Sequence, residues 1–150
     1  MTIRCKATIL FLEKIISNRK FRVTHGGKTS RYKILQNGLP PRAVLSLMLF
    51  NIYTADMTDT VSKKFIYADD VALVTQATSF EEIERVLNAD VAKVKKYFQK
   101  WHLKLNPNKS VTCAFHLNNR EASRTLSIVI EDQKITTEEA PKYLGVRLDR

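Results

Sequence analysis

The sequence predicts an α+β domain in which helices pack on one face of an antiparallel sheet. Segments with apolar residues at helical spacing alternate along the chain with short runs typical of strands. Two pairs of those runs flank tight turns, at Gly26-Gly27 and at Ala68-Asp69-Asp70, as in antiparallel hairpins. The 150 residues are 44% hydrophobic, which suffices for one domain with a core, and 4 Gly and 4 Pro are too few for a linker-like chain.

The first part of the chain predicts a helix followed by a basic hairpin. Apolar residues three and four apart indicate an amphipathic helix over residues 7–17. Alternating runs at 20–23 and 31–34, around Gly26 and Gly27, then predict a hairpin. Its polar face carries Arg22, Lys28, Arg31 and Lys33. That face is either a solvated strand surface or a surface that follows a nucleic-acid backbone.

The middle of the chain predicts a loop, a buried helix and a second hairpin. Residues 38–41 contain Gly and two Pro, which favour a loop. The run 43–53 is apolar nearly all round, so we expect a helix buried against a sheet. Residues 62–75 alternate as two short strands on either side of Ala68-Asp69-Asp70.

The strongest helix signal begins at Ser79, which forms a capping-box pattern with Glu82. Apolar residues then recur at steps of three and four as far as Trp101, and a run of Lys near the end reads as a solvated face. Pro107 closes the following segment. Further strands are predicted at 111–115, 126–130 and 143–148, with a turn at 131–133.

Composition excludes several classes of protein. The net charge of +10 favours polyanionic partners, and residues 1–64 carry most of it, with 12 Lys and Arg against 3 Asp and Glu. Cys5 and Cys113 lie in no Cys/His cluster, so we expect reduced thiols in an intracellular protein rather than a zinc site or a disulfide scaffold. No apolar run reaches the ~20 residues of a membrane span.

The paired acids Asp69 and Asp70 are the residues most suggestive of chemistry. Hairpin turns usually contain Asn-Gly or Asp-Gly, whereas two adjacent carboxylates between apolar strands repel each other. A bound divalent cation would offset that repulsion, and phosphoryl transfer uses such ions. The alternative interpretation is a tight turn whose acids are simply exposed.

Several blocks resemble the motifs of reverse transcriptases, in the family's order. Tyr67-Ala68-Asp69-Asp70 resembles motif C, and residues 38–53 resemble motif B. Residues 103–110 (LKLNPNKS) resemble motif D, and residues 142–149 (KYLGVRLD) resemble motif E. Residues 18–23 are similar to the strand before motif B in the non-LTR retrotransposon group, which is LINE-like and jockey-like.

The resemblance implies a partial polymerase palm and a role for each matching residue. It implies that Asp69 and Asp70 are catalytic and bind Mg²⁺ or Mn²⁺. It places other residues near the nucleotide or primer: Tyr67, Lys109, Gly38, Tyr143 and Gly145. Lys109 would act as a general acid on pyrophosphate, or is one more solvated Lys, and Tyr67 also suits a cross-strand aromatic pair. The partners that the resemblance implies, in the intact parent enzyme, are an RNA template, a DNA primer and dNTP. The residues themselves predict no membrane partner, and the basic hairpin predicts that Arg22, Arg31 and Lys33 hold nucleic-acid backbone.

The sequence also departs from the family pattern. Motif B has Pro41 in place of Gln, Arg42 in place of Gly, Ala43 in place of Ser and Leu47 in place of Pro. We expect residues 1–150 to be a partial reverse transcriptase domain with motifs B to E, lacking the motif A aspartate, fingers and thumb. Three functions follow as hypotheses: a polymerase fragment active only in its intact parent, an inactive remnant that binds nucleic acid through its basic N-terminal part, or a translated pseudogene fragment without a role.

Overall fold

The computed structural model describes residues 5–36, 38–39, 44–116 and 124–148. The chain divides into two compact units, Met1–Asp56 and Met57–Arg150. Both contain helices and short strands, so the predicted α+β class is confirmed. None of the helices in the described part of the chain combines the length and apolar character that crossing a membrane requires.

The first unit opens with helix α1 and the predicted basic hairpin. Helix α1 is Lys6–Ile16. Strands β1 (Arg19–Phe21) and β4 (Lys33–Leu35) pair antiparallel. Between them, β2 (Thr24–His25) pairs with β3 (Lys28–Thr29). Gly26 and Gly27 form the turn with φ of +54° and +74°, a left-handed conformation that glycine adopts at little cost.

Helix α2 (Val44–Tyr53) completes the first unit, and its predicted burial is wrong. None of its described side chains is buried; Val44 is 89% exposed and Met48 is 56% exposed. The helix is apolar on nearly every side, whereas the described strands of this unit form only two-stranded ladders. Such small ladders cannot cover a helix all round, so much of the apolar surface of α2 faces solvent.

The second unit opens with the other predicted hairpin. Strand β5 (Lys63–Tyr67) pairs antiparallel with β6 (Asp70–Val74) over five residue pairs. The prediction separated the strands by Ala68-Asp69-Asp70, but Asp70 already belongs to β6, opposite Tyr67.

Helix α3 (Phe80–Lys100) follows and begins as predicted. The Ser79 hydroxyl accepts a hydrogen bond from the Glu82 N–H at 3.2 Å, which satisfies one of the free donors of the first turn. At the other end, the Leu103 N–H donates to the Phe98 carbonyl at 2.8 Å and the His102 N–H to the Gln99 carbonyl at 3.2 Å. These two bonds form a Schellman motif in which His102, with φ of +54°, holds the position usually given to glycine.

One core lies between α3 and the segment after it. Its buried members come from residues 126–135, and the partly buried ones that pack on them come largely from one face of α3. They are Leu126, Ile128, Ile130 and Ile135, with Phe80, Ile83, Leu87, Val91, Leu105 and Ala114. Burying apolar surface in this way is the main stabilising term of the unit.

Two polar side chains of α3 hold the main chain of the segment that packs on it. The Asn88 side-chain amide donates to the Ser127 carbonyl at 2.9 Å and accepts from the Val129 N–H at 3.0 Å. A Glu84 carboxylate oxygen accepts from the Ser127 N–H at 2.7 Å. These bonds replace those that a neighbouring strand would make along residues 127–129.

The C-terminal strands are shorter than predicted, and the strand predicted at residues 143–148 is instead part of a hairpin. After the 3₁₀ turn Pro107–Lys109 come β7 (Val111–Thr112), β8 (Val129–Ile130), β9 (Gln133–Lys134), β10 (Thr136–Thr137), β11 (Lys142–Tyr143) and β12 (Val146–Arg147). The run 143–148 is a hairpin of β11 and β12 rather than one strand, because Leu144 and Gly145 have φ of +49° and +85° and reverse the chain.

The described strands pair two by two instead of forming the expected continuous antiparallel sheet. They make six two-stranded ladders, of which β7 with β10 is parallel and the others are antiparallel. Most of these strands are only two residues long, so they cannot support a wide sheet with helices along one face.

Candidate functional site

The hairpin of β5 and β6 presents the two acids singled out by the sequence. Asp69 lies in its two-residue turn and Asp70 is the first residue of β6, and both are exposed. Ala68 precedes them with φ of +50°, a conformation that primed hairpin turns require and that usually selects Gly. A side chain other than Gly in this region is strained by about 1–2 kcal/mol, and such strain is found more often at functional sites.

The carboxylates of Asp69 and Asp70 are the type of ligand that a hard divalent cation prefers, but two carboxylates are fewer than such an ion needs. Carboxylate oxygens are ligands that Mg²⁺ and Mn²⁺ prefer, and Asp69 and Asp70 supply two carboxylates on adjacent residues. Among the residues that the structure describes, no three His, Cys, Asp or Glu side chains gather into a group able to hold a metal ion. Within the described residues, the hairpin thus offers two carboxylates, fewer ligands than a Mg²⁺ or Mn²⁺ site requires.

Asp90 of α3 fixes the base of this hairpin. It is fully buried, and its two oxygens accept four hydrogen bonds: from the Val61 N–H at 3.2 Å, the Ser62 N–H at 2.7 Å, the Ser62 hydroxyl at 2.6 Å and the Lys93 ammonium at 3.1 Å. Burial by itself raises the pKa of Asp90, but the bonds from Ser62, Val61 and Lys93 together outweigh it and lower the pKa from 3.8 to about 2. Asp90 is therefore a carboxylate at neutral pH.

The loop before β5 is held by further polar contacts. The Lys64 ammonium donates to the Met57 carbonyl at 2.9 Å and also to the Thr58 carbonyl. The Thr60 hydroxyl donates to the Ser62 carbonyl at 2.7 Å. Thr60, before the first residue of β5, and Lys64, after it, thus both bond the main chain of the loop. These bonds fix where the strand begins.

The turn between β11 and β12 is joined to the same hairpin. The Tyr143 hydroxyl donates to the Phe65 carbonyl at 3.3 Å, which connects the segment resembling motif E with the one resembling motif C. Gly145, also a predicted site residue, lies in the β11–β12 turn with φ of +85°. The hydroxyl of Tyr143 thus contacts the strand that carries Tyr67, which is 58% exposed.

Lys109 lies at the end of the 3₁₀ turn Pro107–Lys109 and is exposed. The turn is well capped, since the Asn106 side chain accepts from the Asn108 N–H at 3.2 Å. Within the described residues, no hydrogen bond or ion pair joins Lys109 to Asp69 or Asp70. Its predicted role at the nucleotide stays a prediction.

The other predicted site residues belong to the first unit. Arg22 places its guanidinium 5.3 Å from the centre of the Tyr32 ring, and Tyr32 is 64% exposed. Arg31 and Lys33 are exposed on the same hairpin. Gly38 has φ of +81°, and its carbonyl accepts a hydrogen bond from Arg19.

Three of the four departures from motif B, at residues 41–43, lie outside the described residues, as do Pro40 and the last residue of the segment resembling motif E. The fourth departure, Leu47, lies on α2 and is 48% exposed.

Sequence reasoning missed Asp90, although a signal was present. Leu87 and Val94 lie three residues before it and four after it, so Asp90 occupies the apolar stripe of α3, where an unpaired acid would be costly. An acid on such a stripe indicates a buried partner, but the sequence does not say which one. Glu84 and Asn88 were missed as well, since both residue types are ordinary on an exposed helix face.

Comparison with known proteins gives concordant matches. The family described as reverse transcriptase (RNA-dependent DNA polymerase) matches residues 2–148. The RNA-directed DNA polymerase from mobile element jockey of Drosophila funebris is 30% identical over 141 residues, which is 88% of this chain and 15% of that protein. Two Drosophila melanogaster proteins, probable RNA-directed DNA polymerases from transposon BS and from the transposon X-element, are 28% and 25% identical over 93% of this chain and 16% of their own length. No solved structure gives a significant match.

Proposed function

The chain belongs to the reverse transcriptase family, in the non-LTR retrotransposon group, and from that premise we propose that it carries motifs B to E of a polymerase palm. In the intact parent enzyme this palm adds deoxynucleotides to a primer on an RNA template by two-metal phosphoryl transfer. The chain spans 15–16% of the length of the relatives named above, so the activity, template, primer and dNTP of the whole enzyme are part of the proposal. The observation that carries it is the exposed pair Asp69 and Asp70 at the tip of a regular hairpin.

In this proposal the hairpin acids hold the divalent ions, Mg²⁺ or Mn²⁺. Asp69 is the principal ligand and Asp70 its neighbour that assists. When bound, the ions align the attacking and leaving oxygens and offset the charge that develops on the phosphoryl group. The remaining ligand is the metal-binding aspartate that members of this family carry in motif A.

The other predicted residues position the substrates. Tyr67 packs beside the primer terminus, and Tyr143 and Gly145 seat the primer from the turn that is hydrogen-bonded to the same strand. Gly38, the first residue of the segment resembling motif B, lies near the nucleotide. Lys109 contacts the triphosphate and protonates the departing pyrophosphate.

Metal binding by the 17.3 kDa chain tests the proposal directly. Titrating Mn²⁺ into ¹⁵N-labelled chain should broaden the amide resonances of residues 68–70 first, and Asp69→Asn should abolish that preference. The chain offers a control, because Glu131 and Asp132 are also adjacent acids at the tip of a hairpin, although both lie in its two-residue turn, with φ of +51° and +65°. Equal broadening at the two turns would mean that the Asp69 turn is an ordinary acidic turn.

We expect no primer extension by the chain alone with Mg²⁺ or Mn²⁺, above the level of an Asp69→Ala control. Without the further ligand, two carboxylates bind ions weakly and do not align the attacking and leaving oxygens. Clear product that disappears in Asp69→Ala would contradict this expectation and show that the described hairpin finds its missing ligand within the chain.

A second candidate function is nucleic-acid binding without catalysis. The observation that favours it is the exposed basic hairpin with Arg22, Arg31 and Lys33, next to the exposed ring of Tyr32. Such a surface binds phosphates by releasing counterions, so affinity for RNA should fall steeply with salt.

Neutralising these three residues to Gln should weaken RNA binding and lower the slope of log affinity against log salt by about 2–3. The control is the triple Gln variant of Lys95, Lys96 and Lys100 on α3, which removes the same charge from another surface. An equal loss of RNA affinity in both variants would mean that only the net charge matters. It would argue against a binding surface on the basic hairpin.

A further inference from the structure

We propose that Asp90 is a positioning residue for the metal-binding hairpin: from inside α3 its carboxylate fixes the residues before β5 and thereby sets where Asp69 and Asp70 lie. The inference rests on the proposed function of the hairpin. It adds a residue outside the segments that resemble family motifs, and one whose effect is transmitted through a strand rather than by touching the metal or the substrate.

The Asp90 carboxylate is fully hydrogen-bonded. One oxygen of Asp90 accepts from Val61 N–H and Lys93, and the other accepts from the N–H and the hydroxyl of Ser62. Asp90 is 0% exposed and Ser62 is 4% exposed, so water does not compete for the two bonds between them, whereas Val61 and Lys93 donate from the edge of the site. A buried carboxylate with four donors holds its partners in one geometry, because any rotation leaves a charged oxygen unsatisfied.

The residues that Asp90 holds lie directly before strand β5. Ser62 immediately precedes Lys63, the first residue of β5, and the ladder then runs without a bulge to the pair Tyr67 and Asp70. That last pair of the ladder lies five residues, or roughly 17 Å of extended strand, from Ser62. Because the register of a ladder is shared by all its pairs, displacement of the first residue displaces the tip as well.

The four donors around residue 90 require an acid rather than an amide at this position. Asn has the shape of Asp, but its amide nitrogen cannot accept a hydrogen bond. Whichever way an asparagine side chain turned at this position, two of the four donors would face an NH₂ group. A carboxylate is the only side chain of this size that accepts from both sides, which explains an acid on the apolar stripe of α3.

Asp90→Asn tests the proposal in the full chain by NMR. Amide exchange should quicken about tenfold, the equivalent of one lost hydrogen bond, at whichever of Val61 and Ser62 faces the asparagine NH₂ group. The readouts that a merely structural role would not move are at the tip: the amide shifts of residues 66–70 should change, and hairpin-selective broadening should need several-fold more Mn²⁺.

The matched control is Asn88→Ala. It removes hydrogen bonds of the same helix to residues 127–129 and should lower stability without changing the shifts or the Mn²⁺ response of the tip. If Asp90→Asn fails to fold, Ser62→Ala serves instead, since it deletes only the hydroxyl bond and should give a smaller change in the same direction.

The outcomes separate the two proposals. Tip shifts and a Mn²⁺ response that change in Asp90→Asn but not in Asn88→Ala support the positioning role. Identical tip behaviour in both variants overturns it, even if Val61 or Ser62 exchanges faster. If the unmodified chain shows no hairpin-selective broadening, the proposed function fails, and the amide shifts of residues 66–70 still decide whether Asp90 positions the hairpin.

Discussion

The stability of the second unit should depend on pH through Asp90, and the Asp90→Asn variant isolates that dependence. The hydrogen bonds from Ser62, Val61 and Lys93 overcome the effect of burial and lower the pKa of Asp90 from 3.8 to about 2. One pKa unit corresponds to about 1.4 kcal/mol, so the ionised form contributes about 2 kcal/mol more to the folded state than the protonated form does.

Because folding lowers the pKa of Asp90, the stability that its carboxylate contributes falls as the pH falls. A carboxyl whose pKa is lowered on folding stabilises the protein fully above its unfolded pKa of 3.8, and that contribution is lost as the pH falls through about 2. The asparagine of the variant does not titrate. The difference in the free energy of unfolding between the unmodified chain and Asp90→Asn should therefore be largest near pH 6 and shrink by about 2 kcal/mol on approaching pH 2.

Urea unfolding followed by circular dichroism at pH 6, 4, 3 and 2 measures this difference. Other acids titrate equally in both proteins, so subtracting one curve from the other removes them. A difference that stays constant from pH 6 to pH 2 would refute the reasoning, because it would mean that the charge of Asp90 is not what the four donors stabilise.

Three further substitutions should change stability in defined directions. Ala68→Gly should stabilise the hairpin by about 0.5–1 kcal/mol in urea unfolding, because Gly relieves the positive φ; a loss of stability would show that Ala68 is unstrained. His102→Gly should raise the thermal midpoint for the same reason at the end of α3, by the equivalent of about 0.5–1 kcal/mol, and an unchanged midpoint would mean that the positive φ of His102 carries no strain. Asn88→Ala should cost about 1–2 kcal/mol in urea unfolding, since it removes bonds to Ser127 and Val129; a cost near zero would mean that water replaces them.

Features encoded by neighbouring residues could be predicted from the sequence. Helix α3 was predicted with its cap at Ser79, because the cap residue, its partner and the apolar stripe all lie within a few turns of one another. The hairpins around Gly26-Gly27 and Ala68-Asp69 were predicted because tight turns between alternating runs are local signals. The paired acids were identified for the same reason, with Asp70 reassigned from the turn to the strand.

Features that depend on contacts between distant residues could not be predicted. The apolar run of α2 indicated a helix but not how much surface its neighbours would cover, and the side chains remain largely exposed. Asp90 contacts residues 28 and 29 positions away, and nothing in the local sequence identifies Ser62 and Val61 as its partners. The hairpin of β11 and β12 was predicted as one strand because Leu144, with φ of +49°, gives no turn signal of its own.

The bonds that Glu84 and Asn88 make to residues 127–129 also bear on how the chain behaves at high concentration. A strand edge with open N–H and carbonyl groups can recruit a strand from another molecule and seed aggregates. Here helix side chains bond the Ser127 N–H and carbonyl and the Val129 N–H, so these three groups are not open to another strand next to the buried Ile128 and Ile130. Whatever loosens α3 from this segment should therefore promote self-association before it unfolds the molecule.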